Sequence, residues 1–210
     1  MKAKNRISAN RIVCISGPIG GGKTSLTNIL RQAITRSTVK LFIAQPLKDI
    51  VFRMFGIAPD FPHAERNKPL PTLAATCPFT EDNQWTPITL WQYIGTDVGR
   101  MIDPLIWTRM WSNQVSKILA RADAPLIICD DLRFENEFDY IQKTYQPRVL
   151  FIYVERSEKQ GLSVNRNKRH KSEADLELLR ERAHIRIIAP ELSGLEACAM
   201  DVLVPLLQKD

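Results

Sequence analysis

The sequence is short of several things. Its four cysteines stand far apart, at 14, 77, 129 and 198, with no C-x-x-C pair. That spacing excludes a disulfide framework and a cysteine zinc site, and it suits a reducing cytoplasm. No apolar run approaches the roughly 18 residues of a membrane span. The basic start (Lys2, Lys4, Arg6, Arg11) is followed by an apolar run of residues 12–15 only, too short for the ~7–15 residues of a signal-peptide core. No internal repeat or low-complexity tract is present. Acidic residues are the minority, 23 against 29 Lys+Arg, for a net charge of +6.

The chain has 210 residues, 44% of them hydrophobic and 25% charged. Such a composition excludes disorder as the main state. A chain of this size can bury roughly 70% of its unfolded surface, enough for a single domain over 1–210. The positive charge is concentrated. Residues 1–11 hold four Lys/Arg and no acid, and residues 155–171 hold six Lys/Arg against two acids, so the rest of the chain is slightly acidic. That distribution argues for a small, highly charged ligand rather than a nucleic acid, which would want a broad basic surface.

Short apolar runs alternate with helical spacing. The pattern predicts strands over 11–16, 39–44, 125–129, 148–154 and 184–188. It predicts helices over 23–33, 46–55, 135–143, 173–182 and 194–208, and two more over 89–120 broken near Pro104. Six prolines (59, 62, 69, 71, 78, 87) interrupt residues 57–87, which read as a long irregular insertion. Strands alternating with helices imply an α/β fold with a parallel sheet covered on both faces.

Between the first strand and first helix lies Gly17-Pro-Ile-Gly-Gly-Gly22-Lys23-Thr24, which fits G-x-x-x-x-G-K-[ST]. In such a loop the backbone N–H groups converge on phosphates and glycine permits the close approach. The helix that follows turns its positive end to the same anion. Gly17, Gly20, Gly21, Gly22, Lys23, Thr24 and Ser25 are the expected ATP-binding set. Lys23 would reach the β/γ-phosphates and Thr24 would ligate Mg²⁺.

Further motifs follow in order. They are Phe42-Ile-Ala-Gln-Pro46-Leu47-Lys48, then Gln92-Tyr-Ile-Gly95-Thr96-Asp97-Val-Gly-Arg100 with Trp107, then Asp131-Leu-Arg133-Phe134-Glu-Asn136-Glu137, and His170-Lys-Ser172-Glu173. With the phosphate loop, this series resembles the bacteriophage-type deoxynucleoside monophosphate kinases, whose motifs F-A-x-P-L-K, Q-x-x-G-T-[ED]-x-x-R…W, D-x-R-F-x-N-E and H-x-S-E run in the same order. The family usually has an arginine after Thr-Pro, where this chain has Ile88. It commonly has an asparagine after the late strand, where this chain has Ala189.

The resemblance implies a three-layer phosphate-loop kinase fold with an acceptor-binding helical region over about 46–120 and a lid over about 155–172. It implies transfer of the ATP γ-phosphoryl group to a dNMP with Mg²⁺, in a cytoplasm (the host's, for a viral protein). The implied partners are small-molecule nucleotides, with no stable nucleic-acid partner, no membrane and a homodimer left open. Asp130 or Asp131 would serve the metal or orient the acceptor. Arg133 would bind the acceptor α-phosphate or the moving γ-phosphoryl, with an ion pair to Glu135 or Glu137 as the alternative. Asn136 and Glu137 would orient Arg133, touch the nucleotide or cap a helix start. Gln92, Thr96 and Arg100 share one helical face. Gln92 could read a base edge and Arg100 could hold the acceptor phosphate. Lys48 could reach that phosphate or lie on the surface. Trp107 could stack on a base, though with Trp111 at i, i+4 it also reads as core. Arg166 and Arg169 are the expected lid arginines. The alternatives to this function are a phosphate-loop kinase for another small acceptor, a nucleic-acid-stimulated ATPase and a non-catalytic nucleotide-binding protein.

Overall fold

The computed structural model describes residues 11–58, 61, 65–70, 73, 76–78, 80, 83–156 and 171–208, with the backbone alone at 171–174. The chain divides into two units, Met1–Ile43 with Ser112–Asp210, and Ala44–Trp111.

The first unit holds a five-stranded sheet. Its strands are β1 (Ile12–Ser16), β2 (Thr38–Lys40), β3 (Leu126–Cys129), β4 (Val149–Arg156) and β5 (Ile185–Ala189), in the spatial order β2-β3-β1-β4-β5, all parallel. The central runs IVCIS, LIIC and VLFIYV are buried residue after residue, as a parallel sheet covered on both faces requires. Alternate side chains serve opposite layers. Val13, Ile15, Ile128, Ile152 and Val154 pack with Leu26 and Leu30 of α1 (Lys23–Ala33) and with Leu195, Leu203 and Leu207 near the C-terminus. On the other face Phe151 meets Phe138 of α5 (Glu135–Tyr145), ring centroids 4.0 Å apart. Each fully buried Leu or Phe contributes ~1.5–3 kcal/mol through removal from water. The architecture is the expected α/β one, a parallel sheet flanked by helices.

Several bounds differ from the sequence expectation, each for a nonlocal reason. The strand expected over 39–44 pairs only at Thr38–Lys40. Leu41 N–H still reaches the carbonyl of Ile128, but Ile43 N–H turns away to the Asp131 carboxylate at 2.8 Å. β4 runs on to Arg156, and α6 (Lys171–Arg182) begins at Lys171. The lid expected over 155–172 therefore loses Glu155 and Arg156 to the sheet and Lys171 and Ser172 to a helix. Residues 157–170, with the expected lid arginines Arg166 and Arg169 and with His170, lie outside the described residues. The closing helix starts earlier, as α7 (Leu192–Cys198), and passes through a wide π-helical stretch, Ala199–Leu203, into α8 (Val204–Gln208).

Arg182 fastens α6 to α5. Its guanidinium bonds to Glu135, Asp139 and Gln142 and covers the Phe138 ring at 4.3 Å. Asp175 returns the link by accepting the N–H of Glu135 at 3.2 Å.

The second unit contains α2 (Gln45–Phe55) and α3 (Pro87–Gln92). α2 has a proline in its first turn and ends at Gly56, whose φ of 65° is the left-handed stop that glycine favours. Thr86 and Thr89 cap the start of α3 reciprocally. α3 continues as a π-helical stretch, Tyr93–Arg100. The chain breaks at Asp103–Leu105, where Asp103 accepts the N–H of Leu105, and then enters α4 (Ile106–Leu119). The described part of the 57–87 insertion is tied to itself by turns such as Cys77 N–H to Asn83 O and Leu70 N–H to Trp85 O. Among the described residues no helix is long and apolar enough to cross a membrane.

Candidate active site

The parallel strands deliver their carboxyl ends to one edge of the sheet, the edge where open α/β sheets bind ligands. Three neighbouring strands supply the groups: β1 leads into the glycine loop, β3 into Asp130–Asp131, and β4 into Arg156.

The loop geometry needs glycine. Gly17 has φ 144°, and a Cβ there would lie 2.0 Å from the carbonyl oxygen of Val154. Gly20 and Gly22 have φ 77° and 102°. Gly22 is the N-cap of α1 and offers no side-chain cap, so the first N–H groups of that helix are left to an anion. A turn closed by Gly21 N–H to Pro18 O, 3.0 Å, shapes the middle of the loop. Thr24 is exposed and Ser25 half-buried in the first turn of α1.

Lys23 curls over the loop. Its Nζ donates to the carbonyls of Gly17 at 2.7 Å and Pro18 at 2.8 Å. Its pKa is lowered to about 8, first by burial and then by the Arg133 guanidinium, while Asp130 and Asp131 push the other way. The charges of Asp130, Asp131 and Arg133 are thus all felt at Lys23.

Inside that neighbourhood the two carboxylates differ. Asp130 is buried, and its Oδ2 meets Lys40 Nζ at 2.7 Å and Thr27 Oγ1 at 3.1 Å. Asp131 uses Oδ1 to accept from Ile43 N–H at 2.8 Å and from the Cys129 thiol at 3.3 Å. Burial pushes the Cys129 thiol up, and its bond to Cys14 adds to this, so it stays a neutral donor. Arg133 is exposed, and among the described residues its guanidinium has no ion-pair partner. The ion pair to Glu135 or Glu137 considered for it does not form: Glu135 pairs with Arg182 instead.

Two of the expected substrate-binding residues are buried and bonded within the fold. Glu137 is buried, and its Oε2 accepts the N–H groups of Arg133 at 3.1 Å and Phe134 at 3.2 Å. It caps the start of α5, at the backbone from which Arg133 projects. Trp107 is buried, and its indole N–H donates to Gly95 O at 2.9 Å. Its ring fills the space beside Gly99, where a Cβ would lie 2.4 Å from Cζ2. Asn136 is half-buried in the first turn of α5.

The remaining acceptor-side candidates belong to the second unit. Lys48 Nζ lies over the Trp91 ring, 5.4 Å from its centroid. Gln92 and Thr96 are exposed and Arg100 half-buried, whereas Gly95 and Gly99 turn inward, where Leu47 and Trp107 approach closely.

Four neighbours of the site lie outside the sequence motifs. Lys40 and Thr27 hold Asp130, Cys129 holds Asp131, and Arg156 lies along the loop. Arg156 donates to Gly20 O at 3.1 Å, and its Nε is buried beside Gly22 with no hydrogen-bond partner among the described residues. The available signals were a lysine inside an otherwise apolar strand run and an arginine at the end of a buried strand.

The donor set fits Mg²⁺. Thr24 Oγ1 and the Asp130–Asp131 carboxylates are hard oxygen ligands. Among the described residues no cluster of three His, Cys, Asp or Glu side chains forms a complete metal cage.

No protein-family model and no curated protein matches the chain. Solved structures do. TT1252 from Thermus thermophilus aligns over 96% of this chain and 100% of its own, at 14% identity and a TM-score of 0.52. A sugar kinase from Janibacter sp. HTCC2649 aligns over 94% of this chain and 98% of its own, at 17% identity and a TM-score of 0.44. A shikimate kinase from Acinetobacter baumannii, in complex with shikimate, aligns over 94% of this chain and 93% of its own, at 14% identity and a TM-score of 0.43. At such identity the likeness to TT1252 is one of fold alone.

Proposed function

We propose that this chain is an ATP-dependent deoxynucleoside monophosphate kinase, converting ATP and a dNMP to ADP and a dNDP. One observation carries the reading: a phosphate loop with left-handed glycines holds Lys23 within the electrostatic reach of the Asp131–Arg133 motif. The loop is a donor-phosphate cradle, and the motif is the part that resembles the dNMP kinases.

The work falls to positioning and charge, since phosphoryl transfer needs no covalent intermediate. Backbone N–H groups from Gly20 to Thr24 hold the β-phosphate. Lys23 has three N–H donors, two of them on Gly17 and Pro18, and it turns toward the γ-phosphoryl oxygens as these replace the carbonyls. Thr24 with Asp130 or Asp131 would hold Mg²⁺, which when bound would supply neutralisation of the developing phosphate charge. Arg133 offers a planar fork to the acceptor phosphate or the moving phosphoryl group. By resemblance, Arg100 and Lys48 serve the acceptor phosphate, Gln92 and Thr96 the acceptor nucleoside, and Arg166 and Arg169 the transition state.

Purified protein with Mg·ATP and each dNMP, followed by separation of the nucleotides, tests the proposal. Formation of dNDP in step with ADP supports it. ADP formation that ignores all dNMPs but responds to DNA, or to a different small acceptor, would replace it with the corresponding alternative.

A further inference from the structure

Arg156 stands beside the phosphate loop but belongs to neither the loop motif nor the acceptor-side series. It is the last residue of β4 and pairs in register with Ala189 of β5, so its backbone is held by the final rung of that ladder. Its stem lies along the loop. Cγ and Cδ come within 3.6 and 3.7 Å of the place a Cβ on Gly22 would take, and Leu195 Cδ2 closes on the same place at 3.0 Å. The glycine thus leaves room for the arginine stem. At its tip, Nη2 donates to Gly20 O at 3.1 Å. The guanidinium keeps this place although its Nε is buried with no hydrogen-bond partner among the described residues, an arrangement that costs free energy.

A phosphate cradle works by direction. Its N–H groups must face the anion, and a carbonyl turned inward would repel it. Glycine backbone turns easily, so the direction has to be held. Between residues 17 and 22, three carbonyls accept from side chains among the described residues: Gly17 and Pro18 from Lys23, and Gly20 from Arg156. Lys23 gives up this task when it turns toward the γ-phosphoryl group. Arg156 is then the side chain left holding a loop carbonyl. The peptide it holds is bonded at its other end too, because Gly21 N–H donates to Pro18 O at 3.0 Å. A peptide unit is planar, so this one cannot rotate without breaking both bonds. The bond from Arg156 is the charge-assisted one of the two.

We propose that Arg156 is a positioning residue of the donor-nucleotide site: it holds the Gly20–Gly21 peptide in the orientation that keeps the loop receptive to phosphate. Its guanidinium acts through the loop and not on the γ-phosphoryl group, so ATP and ADP benefit alike. The role of the loop as a phosphate cradle rests on the reading above, but the locking of the peptide does not.

The test uses the full chain and two readouts. The first is amide exchange at Gly21, followed by NMR in nucleotide-free protein. Arg156→Met should speed it at least about fivefold while the amides of the β1–β4 ladder stay unchanged. The second is calorimetric affinity for ADP and for a non-hydrolysable ATP analogue. Arg156→Met should weaken both about tenfold and by the same factor. That ratio to wild type should persist at about 1 M salt, where the Debye length is about 3 Å. Arg156→Lys keeps the charge and most of the stem, and it serves if the Met variant fails to fold. Its tip is shorter and lacks the planar fork, so it should still lose at least about threefold for both nucleotides. Unchanged exchange at Gly21 in Arg156→Met overturns the proposal. So does a loss confined to the ATP analogue, a loss that vanishes in high salt, or a Lys variant that matches wild type. Wild-type protein that binds neither nucleotide contradicts the phosphate-loop reading, and the Gly21 exchange still decides the locking. Protein that binds both but phosphorylates no dNMP contradicts the substrate assignment and leaves the role of Arg156 standing.

Discussion

The ammonium of Lys23 lies 2.7 Å from the carbonyl oxygen of Gly17, the residue that opens the loop. The loop thus carries its own cation, folded against the backbone that shapes it, with a pKa lowered to about 8 chiefly by burial. Between pH 8 and 10.5 the folded chain has released this proton while the unfolded chain keeps it, so this group makes stability rise with pH across that window. Function moves in the opposite direction. A triphosphate needs the charged form, so nucleotide affinity should fall as pH rises through about 8, and binding above that pH should take up a proton. Calorimetry in buffers of different ionisation enthalpy measures the uptake. Lys23→Arg, charged throughout, should flatten the profile, and Lys23→Met should cut turnover at least about a hundredfold. An affinity that does not change from about pH 7 to about pH 9.5 would sink this account of Lys23.

Gly17 and Gly56 both hold positive φ but differ in their surroundings. A Cβ on Gly17 would stand 2.0 Å from Val154 O, whereas one on Gly56 would meet nothing within 4 Å. Gly17→Ala should therefore cost about 3 kcal/mol or more and abolish nucleotide binding. Gly56→Ala should cost only about 1 kcal/mol, the ordinary strain of a left-handed residue. Paired urea titrations check the difference. Equal losses would mean that backbone conformation alone, not the crowding under β4, dictates the glycine.

Glu137 accepts two backbone N–H groups at the residues that carry Arg133 and Phe134. Glu137→Ala leaves both donors unsatisfied and should cost about 2–3 kcal/mol. Glu137→Gln, which can still accept at this position of a helix start, should cost about 1 kcal/mol. If Glu137 acts only by positioning Arg133, the Ala variant should raise the KM of the acceptor or lower kcat while leaving the ATP KM near wild type. A loss confined to ATP binding would place it elsewhere.

Trp107 and Gly99 are complementary in volume. Gly99→Ala forces a Cβ into the indole and should cost ~1–3 kcal/mol through overpacking. Trp107→Phe removes the donor that satisfies Gly95 O and should cost ~1–2 kcal/mol. Thermal unfolding of the two single variants and the double variant measures the coupling. A Trp107→Phe variant of unchanged stability with a weakened acceptor KM would support a base-stacking role.

The strands that form the middle of the sheet were readable because a covered parallel sheet demands unbroken apolar runs, and IVCIS, LIIC and VLFIYV are such runs. The phosphate loop was readable because its chemistry is local: glycines, lysine and threonine act within eight consecutive positions. What escaped depends on partners far along the chain. Lys40 meets Asp130 and Ile43 meets Asp131, each about ninety residues away, and no spacing rule links them. The same distance explains the early end of β2, since only the fold reveals that an aspartate side chain takes over from the ladder. The π-helical stretch at Tyr93–Arg100 was hidden for another reason: glycines four apart suit an α-helix equally well, and the closeness of Leu47 and Trp107 to them appears only in the fold.

The most direct test of the account is a nucleotide-resolved assay with Mg·ATP and the four dNMPs, run beside the four NMPs. The account predicts that at least one dNMP yields dNDP in a one-to-one ratio with ADP, and that Lys23→Met and Arg133→Met lose this product. Absence of any phosphorylated deoxynucleotide, with ATP consumed at the same rate whether or not a dNMP is present, would contradict it.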